Sequence, residues 1–163
     1  MKRKKTSTHL VIKVGITGGI GSGKTTVCRM FEELGIPVYY ADDRAKYLMQ
    51  HEHHLIDEIK KKFGPEVYAD GKLNRKLLAE KVFNDKAKLA ELNALVHPAV
   101  YHDTDIWMEE QKQRKVPYSL KEAALLFCEK LGLHDIKVAS AEAAANEYSF
   151  FVVYARADVA IDY

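Results

Sequence analysis

A run of glycines between residues 18 and 23 constrains this chain more than any other feature. The segment GGIGSGKT at 18–25 fits the pattern G-x-x-x-x-G-K-S/T. Glycine adopts positive φ angles and has no Cβ atom, so successive backbone N–H groups can converge on the oxygens of a phosphate group. The pattern therefore predicts a phosphate-binding loop if a strand precedes it and a helix follows it.

The flanking residues predict that strand and that helix. Residues 9–17, HLVIKVGIT, are a β-branched apolar run typical of a buried strand. Apolar residues follow the helical period from Lys24, and Gly35 is a typical helix stop. A second strand is expected at 37–40, followed by Ala41 and Asp42. Ligands of α/β sheets bind at the carboxyl ends of strands, so Asp42 is a candidate site residue.

The remaining pattern predicts mainly helices in the middle of the chain and strands towards its end. Helices are expected at 55–63, 74–83, 85–97, from Pro98 to about 114 and at 138–147, and strands within 116–127 and at 150–155. Neither a repeat nor a linker divides the 163 residues. We therefore expect a single α/β domain, 1–163, with a parallel sheet in a three-layer P-loop NTPase fold. A helical insert is expected at about 43–114.

The loop predicts ATP and Mg²⁺ as ligands. Lys24 is the expected point charge for the β- and γ-phosphates, and the Thr25 hydroxyl is the expected metal ligand. The predicted nucleotide-binding residues are Gly19, Ile20, Gly21, Ser22, Gly23, Lys24, Thr25 and Thr26.

Such a loop does not by itself name the reaction, because switch GTPases, motor ATPases and small-molecule kinases all carry one. The chain shows no N-K-x-D guanine signature and no clear strand of four apolar residues followed by aspartate. Its short length and its helical insert favour a small-molecule kinase.

Composition and charge restrict the other partners. The net charge is +2, but residues 2–5 supply four cations, so the rest of the chain lacks the basic field of a nucleic-acid-binding protein. The apolar run near the start is interrupted by Lys13 and lacks a cleavage site, so neither export nor a membrane span is expected. Cys28 and Cys128 do not have disulfide or zinc spacing, and Cys28 is expected to pack in the core. These features favour a cytoplasmic protein, and we expect a monomer.

Five segments together resemble the dephospho-coenzyme A kinase family. They are VGITGGIGSGKTT at 14–26, GIPVYYAD at 35–42, DGKLNR at 70–75, LNALVHP at 92–98 and KEAALLF at 121–127. The resemblance covers about residues 11–127. It implies a P-loop kinase that transfers the γ-phosphoryl group of ATP to the ribose 3′-hydroxyl of dephospho-coenzyme A, the last step of coenzyme A synthesis.

The resemblance also implies roles for residues of the insert. Asp42 matches the family aspartate that faces the acceptor hydroxyl, so Asp42 and Lys24 are the expected catalytic residues. Arg75 and His97 match positions of the acceptor-binding region and are expected to bind the substrate together with Asp42. Three structural alternatives remain open: Asp42 or Asp43 as a helix N-cap, Arg75 as a surface residue, and His97 as the cap of a helix end.

Departures from the family pattern begin after Phe127. Cys128 stands where the family continues into glutamate, and Tyr40 stands where many members carry a second acid. The arginine-bearing lid is expected to be missing or divergent, which would make this chain a weak kinase. Two other functions therefore stay open. One is a kinase for another small hydroxyl substrate, of the nucleotide or shikimate type, and the other is a nucleotide-binding protein without turnover.

Overall fold

The computed structural model describes residues 11–18, 22–123, 136–142 and 149–155, with the backbone alone in the last two ranges. In chain order its elements are β1 (Ile12–Gly18), α1 (Lys24–Glu33), β2 (Val38–Tyr40), α2 (Ala41–His51), α3 (His53–Phe63), a 3₁₀ turn (Pro65–Val67), β3 (Tyr68–Ala69), β4 (Lys72–Leu73), α4 (Arg75–Phe83), α5 (Lys86–Gln113), β5 (Tyr118–Glu122), β6 (Ile136–Glu142) and β7 (Ser149–Ala155). They belong to two compact units. The first comprises Met1–Tyr40 and Trp107–Tyr163, and the second comprises Ala41–Ile106.

The first unit is built on a five-stranded sheet in the order β2-β5-β1-β7-β6. Strands β2, β5 and β1 are parallel, which confirms the predicted α/β fold with a parallel sheet. Strand β7 runs antiparallel to both β1 and β6, so the sheet is mixed. The parallel register pairs Ile16 with Glu122 and Tyr40 with Glu122, which brings the carboxyl ends of three strands to one edge.

The core of the first unit lies between this sheet and α1. Ile16, Cys28 and Leu120 are almost fully buried there, and Val27 and Phe31 pack against them. Cys28 is therefore a core residue, as predicted. Burial of apolar surface of this kind contributes roughly 25 cal/mol per Å². It holds α1 against the strand that precedes it.

Helix α1 ends in a Schellman motif. The N–H of Ile36 donates to the carbonyl of Phe31 at 3.0 Å, and the N–H of Gly35 donates to that of Glu32 at 2.8 Å. Gly35 has a φ of +78°, which an L-residue with a Cβ atom adopts only at a cost. The predicted glycine stop of this helix is confirmed.

The second unit consists of helices and a short hairpin. Helix α3 begins after Glu52, whose carboxylate accepts from the N–H groups of His54 and Leu55. Its apolar face buries Leu55, Ile59 and Phe63. Arg44 of α2 donates from Nε to Asp103 of α5 at 2.8 Å and pairs with the second oxygen of the same carboxylate through its Nη2. This bidentate pair joins α2 to α5 within the unit.

The predicted helix boundary at Pro98 is wrong. One helix, α5, runs through Pro98 from Lys86 to Gln113. A proline inside a helix removes one hydrogen bond and costs about 3 kcal/mol. Val96 and Val100 on either side of it are buried, and this packing stabilises the continuous helix. His97 is therefore not the cap of a helix end.

Two further predictions about the sheet are corrected. Alanine favours a helix at 138–147, but Ile136–Glu142 is strand β6, paired along β7, and residues 143–147 lie outside the described residues. Pairing with the β-branched and aromatic residues of β7 outweighs this intrinsic propensity. The strand expected within 116–127 is confirmed as β5, but it ends at Glu122. Residues 124–127, expected as its apolar end, lie outside the described residues.

Replacing Gly35 by alanine should lower the free energy of unfolding by about 1 kcal/mol. No atom lies within 4 Å of a Cβ built at Gly35, so the cost arises from the positive φ angle alone. Gly35→Asn is the matched control, because asparagine tolerates this conformation better and should cost less. Urea unfolding of both variants tests this. Equal losses for alanine and asparagine would contradict it.

Candidate functional site

The glycine-rich loop joins β1 to α1, as the sequence predicted. Strand β1 ends at Gly18 and α1 begins at Lys24. Three of the predicted binding residues, Gly19, Ile20 and Gly21, lie outside the described residues. Gly23 has a φ of +80°, and no atom lies within 4 Å of a Cβ built there. The left-handed conformation of Gly23 turns the chain directly into the first turn of α1.

The N-terminus of α1 provides backbone donors. The N–H of Val27 donates to the carbonyl of Gly23 at 3.1 Å, which is the first hydrogen bond of the helix. The N–H groups of Thr25 and Thr26 precede it in the first turn, for which an α-helix provides no backbone acceptor of its own. Gly23 provides no side-chain cap, and the first turn carries no acidic residue. This helix end is therefore suited to an anion.

Lys24 adds a positive charge at this position. It is buried, with 9% of its surface exposed, and its Nζ donates to the Oγ of buried Ser22 at 3.4 Å. The side chains of Thr25 and Thr26 are exposed. The described part of the loop thus combines a buried ammonium group, an exposed hydroxyl at Thr25 and the N–H groups of one helix turn. This combination can bind a polyphosphate.

Glu122 is a candidate site residue that the sequence analysis missed. It is the last residue of β5 and is 7% exposed. The sheet register places it beside Ile16 of β1, close to the start of the loop. The sequence pattern extended this strand to Phe127, which put Glu122 in its middle. No local sequence pattern marks Glu122 as the end of this strand, because its position follows from the pairing of β5 with β1 and β2.

Cys28 lies in the same charged neighbourhood but is not reactive. The pKa of its thiol is raised to about 11, mainly by burial and also by the carboxylates of Glu122 and Glu32, against the lowering effect of Lys24. A thiol is nucleophilic as the thiolate, which these surroundings disfavour. Cys28 is therefore a packing residue below the loop.

The residues predicted to act on the acceptor belong to the second unit. Asp42 is exposed in the first turn of α2, which begins at Ala41. The prediction that Asp43 caps this helix is wrong, because Asp43 also lies within its first turn, where it pairs with Lys46 at 2.7 Å. A carboxylate in a first turn is favoured by the helix dipole.

Arg75 and His97 lie on two other helices of this unit. Arg75 is exposed as the first residue of α4, directly after the N-cap Asn74. His97 is half-buried within α5, with its ring centroid 6.3 Å from that of Tyr101. The structure thus brings Ser22, Lys24 and Thr25 together in the first unit and places Asp42, Arg75 and His97 in the second.

The described residues contain neither a membrane-spanning helix nor a cluster of metal-binding side chains. No helix among them is long and apolar enough to cross a membrane. They contain no group of three or more histidine, cysteine or acidic side chains arranged to hold a metal ion. His51, His53 and His54 are exposed.

A parallel strand, a glycine-rich loop and a helix that begins with a buried lysine define the fold as that of the P-loop proteins. The family model described as Dephospho-CoA kinase matches residues 12–145. The chain therefore belongs to the dephospho-CoA kinase family, and the predicted family is confirmed.

Individual relatives agree with this family. A protein of Salinibacter ruber named Dephospho-CoA kinase is 42% identical over 147 residues, a match that covers 90% of this chain and 73% of the relative. One of Chlorobaculum tepidum with the same name is 46% identical, over 73% of this chain and 60% of the relative. The crystal structure of a Thermus thermophilus protein superposes with a TM-score of 0.60 at 37% identity, over 75% of this chain and 60% of that one. The chain thus spans about three fifths of the length of two of these proteins.

The free energy of unfolding should fall more steeply between pH 9 and 11 in the parent than in Cys28→Ala. The unfolded thiol releases its proton near 9.0 and the folded one near 11. In that window the folded state holds more protons, so stability decreases as the pH rises. Urea titrations of both proteins across this range test the difference. Parallel pH profiles would contradict the burial of a neutral thiol.

Proposed function

We propose that this chain transfers the γ-phosphoryl group of ATP to the ribose 3′-hydroxyl of dephospho-coenzyme A. The observation that supports this best is the buried Lys24 at the start of α1, directly after Gly23, in a chain of the dephospho-CoA kinase family. In the reaction the 3′-oxygen forms a bond to the γ-phosphorus, and the bond from that phosphorus to the β,γ-bridging oxygen breaks. ADP leaves, and the hydroxyl proton passes to a base.

ATP is proposed to bind through residues 19–26. The N–H groups at the start of α1 would donate to phosphate oxygens, and the Lys24 ammonium would pair with the β- and γ-phosphates. Because Lys24 is buried, its charge is screened by water less than that of a surface lysine. Its contribution to charge stabilisation during transfer is correspondingly larger.

The residues present fit a magnesium ion. Magnesium in kinases is held by one or two protein oxygens together with substrate phosphates and water, not by a cage of protein ligands. The Thr25 hydroxyl and the Glu122 carboxylate are hard oxygen donors of this kind. When bound, the ion neutralises charge on the β- and γ-phosphates.

Asp42 is proposed to take the proton of the acceptor hydroxyl. Its carboxylate is exposed at the start of α2, so it is accessible to a substrate. Taking the proton or holding the hydroxyl in line is the role of the catalytic aspartate in kinases. We propose the second unit, Ala41–Ile106, as the acceptor-binding insert, in which Arg75 and His97 bind the substrate. A guanidinium group suits the diphosphate of dephospho-coenzyme A because it can bind two oxygens at once.

The assay that tests this function follows ADP formation by the purified chain with dephospho-coenzyme A, AMP or shikimate as acceptor. ADP should form fastest with dephospho-coenzyme A. The product should support an enzyme that requires the 3′-phosphate of coenzyme A. Faster transfer to either of the other acceptors would contradict the proposed substrate, and ATP binding without transfer to any acceptor would contradict a kinase.

Lys24→Ala should weaken ATP binding at least about tenfold. The change removes a charge-assisted phosphate contact worth about 1.5 to 3 kcal/mol. Lys112→Ala is the control, because Lys112 is an exposed residue near the end of α5 that pairs with Glu109 of the same helix. Calorimetry of both variants measures the difference. Equal ATP affinities for Lys24→Ala and the parent would rule out the proposed role of the loop lysine.

Asp42→Asn should slow transfer on the order of a hundredfold or more while the melting temperature changes little. Asparagine preserves the shape of the side chain but cannot accept the proton. Asp43→Asn is the matched control, because it changes the neighbouring exposed acid of the same helix turn. Single-turnover rates and melting curves of both variants separate the roles. If Asp42→Asn lowered the melting temperature but left the transfer rate unchanged, the role of Asp42 would be structural and not catalytic.

A further inference from the structure

The hairpin before α4 is too small to be stable by itself. Strands β3 and β4 contribute two residues each, paired as Tyr68 with Leu73 and Ala69 with Lys72. Asp70 and Gly71 form the connecting turn with φ angles of 50° and 72°, as a two-residue hairpin of the favoured type requires. An isolated two-stranded hairpin is at best marginally stable in water. Its conformation therefore depends on contacts with the rest of the second unit.

Helix α2 provides those contacts. The side-chain amide of Gln50 donates from Nε2 to the carbonyl of Gly71 at 2.8 Å and accepts at Oε1 from the N–H of Leu73 at 2.9 Å. The hydroxyl of Tyr68 donates to the carbonyl of Met49 at 2.6 Å. One glutamine side chain thus bonds to both the turn and the second strand of the hairpin.

The hairpin leads directly into the helix that begins with Arg75. The N–H of Asn74 donates to the carbonyl of Val67 at 2.8 Å, and its Oδ1 accepts from the N–H of Leu77 at 3.1 Å. The backbone is therefore held by hydrogen bonds on both sides of Arg75. The Arg75 side chain is exposed, so the position of its guanidinium group depends on this backbone.

We infer that Gln50 is a positioning residue for the acceptor, because it fixes the hairpin that places Arg75. The inference rests on the proposed function of Arg75 as a ligand of the acceptor's diphosphate. Arginine binds an anion through two nitrogen atoms at once only when its guanidinium group is placed accurately. Gln50 lies on the same helix as Asp42, so its amide joins the segment with the proposed base to the segment with the proposed anion ligand.

The test measures binding of dephospho-coenzyme A and ATP to Gln50→Leu by calorimetry. Leucine approximates the size of glutamine but makes neither hydrogen bond. We expect the affinity for dephospho-coenzyme A to fall about tenfold, since two hydrogen bonds that order the hairpin are lost. The affinity for ATP should stay within about twofold. Gln113→Leu, a change of an exposed glutamine at the end of α5, should alter neither affinity.

Three further measurements separate positioning from a general loss of stability. In an Arg75→Ala background, Gln50→Leu should have no further effect on dephospho-coenzyme A binding, because Gln50 acts through Arg75. Gln50→Glu keeps an acceptor for Leu73 and should lie between the parent and Gln50→Leu. Melting curves and ATP titrations establish that each variant is folded.

The outcomes of these titrations distinguish a failure of the positioning role of Gln50 from a failure of the proposed substrate. Unchanged dephospho-coenzyme A affinity in folded Gln50→Leu would overturn the positioning role and leave the proposed function intact. Additive effects of Gln50→Leu and Arg75→Ala would also overturn it, since the two residues would then act separately. If the parent chain binds ATP but not dephospho-coenzyme A, the proposed substrate is wrong and the role of Gln50 fails with it.

Discussion

The change of direction at Gly23 determines most of what the first unit can do. The positive φ of this residue lets α1 begin directly after the loop, so the N–H groups of its first turn have no acceptor within the helix. Burial of Cys28 between α1 and the sheet then fixes the direction of the helix relative to β1. A residue with a Cβ atom would cost about 1 to 2 kcal/mol in this conformation. Glycine is thus required here by backbone geometry.

Two charged residues are buried around this loop, and their burial needs compensation. Lys24 and Glu122 are each less than a tenth exposed. Burying a charge costs several kcal/mol unless other charges or hydrogen bonds compensate for it. In the described part of the chain, every buried side-chain nitrogen and oxygen has a hydrogen-bond partner. Both side chains thus lie where water screens charges least, so that their electrostatic interactions with a phosphate are strong.

The sequence was sufficient where local chemistry decides the structure. The apolar run of β1, the helix start at Lys24 and the Gly35 stop each depend on residues close in sequence, and these three predictions were confirmed. The sequence alone was insufficient where pairing between strands that are distant in sequence determines the structure. The alanines of β6 favour a helix, but β7 offers a long antiparallel partner whose residues are far away in sequence.

The same distinction between local and distant interactions applies to the candidate site residues. The loop pattern was sufficient to predict Lys24 as a candidate site residue. Identifying Glu122 requires knowing where β5 ends, and this depends on the parallel pairing of β5 with β1 and β2. Gln50 carried no sequence signal, because its two hydrogen bonds reach residues more than twenty positions ahead. A side chain that positions another through backbone contacts is recognised only once the fold is known.

Tyr40 shows why one carboxylate has to suffice in the proposed chemistry. It stands two positions before Asp42, where many family members carry an acid, and its hydroxyl donates to Glu32 at 2.9 Å. Burial and this hydrogen bond raise the pKa of Tyr40 well above its usual range. The phenol therefore keeps its proton at neutral pH and cannot accept one from a substrate hydroxyl. Because Tyr40 adds no negative charge near the end of β2, it does not repel a phosphate, and Asp42 is the proposed proton acceptor.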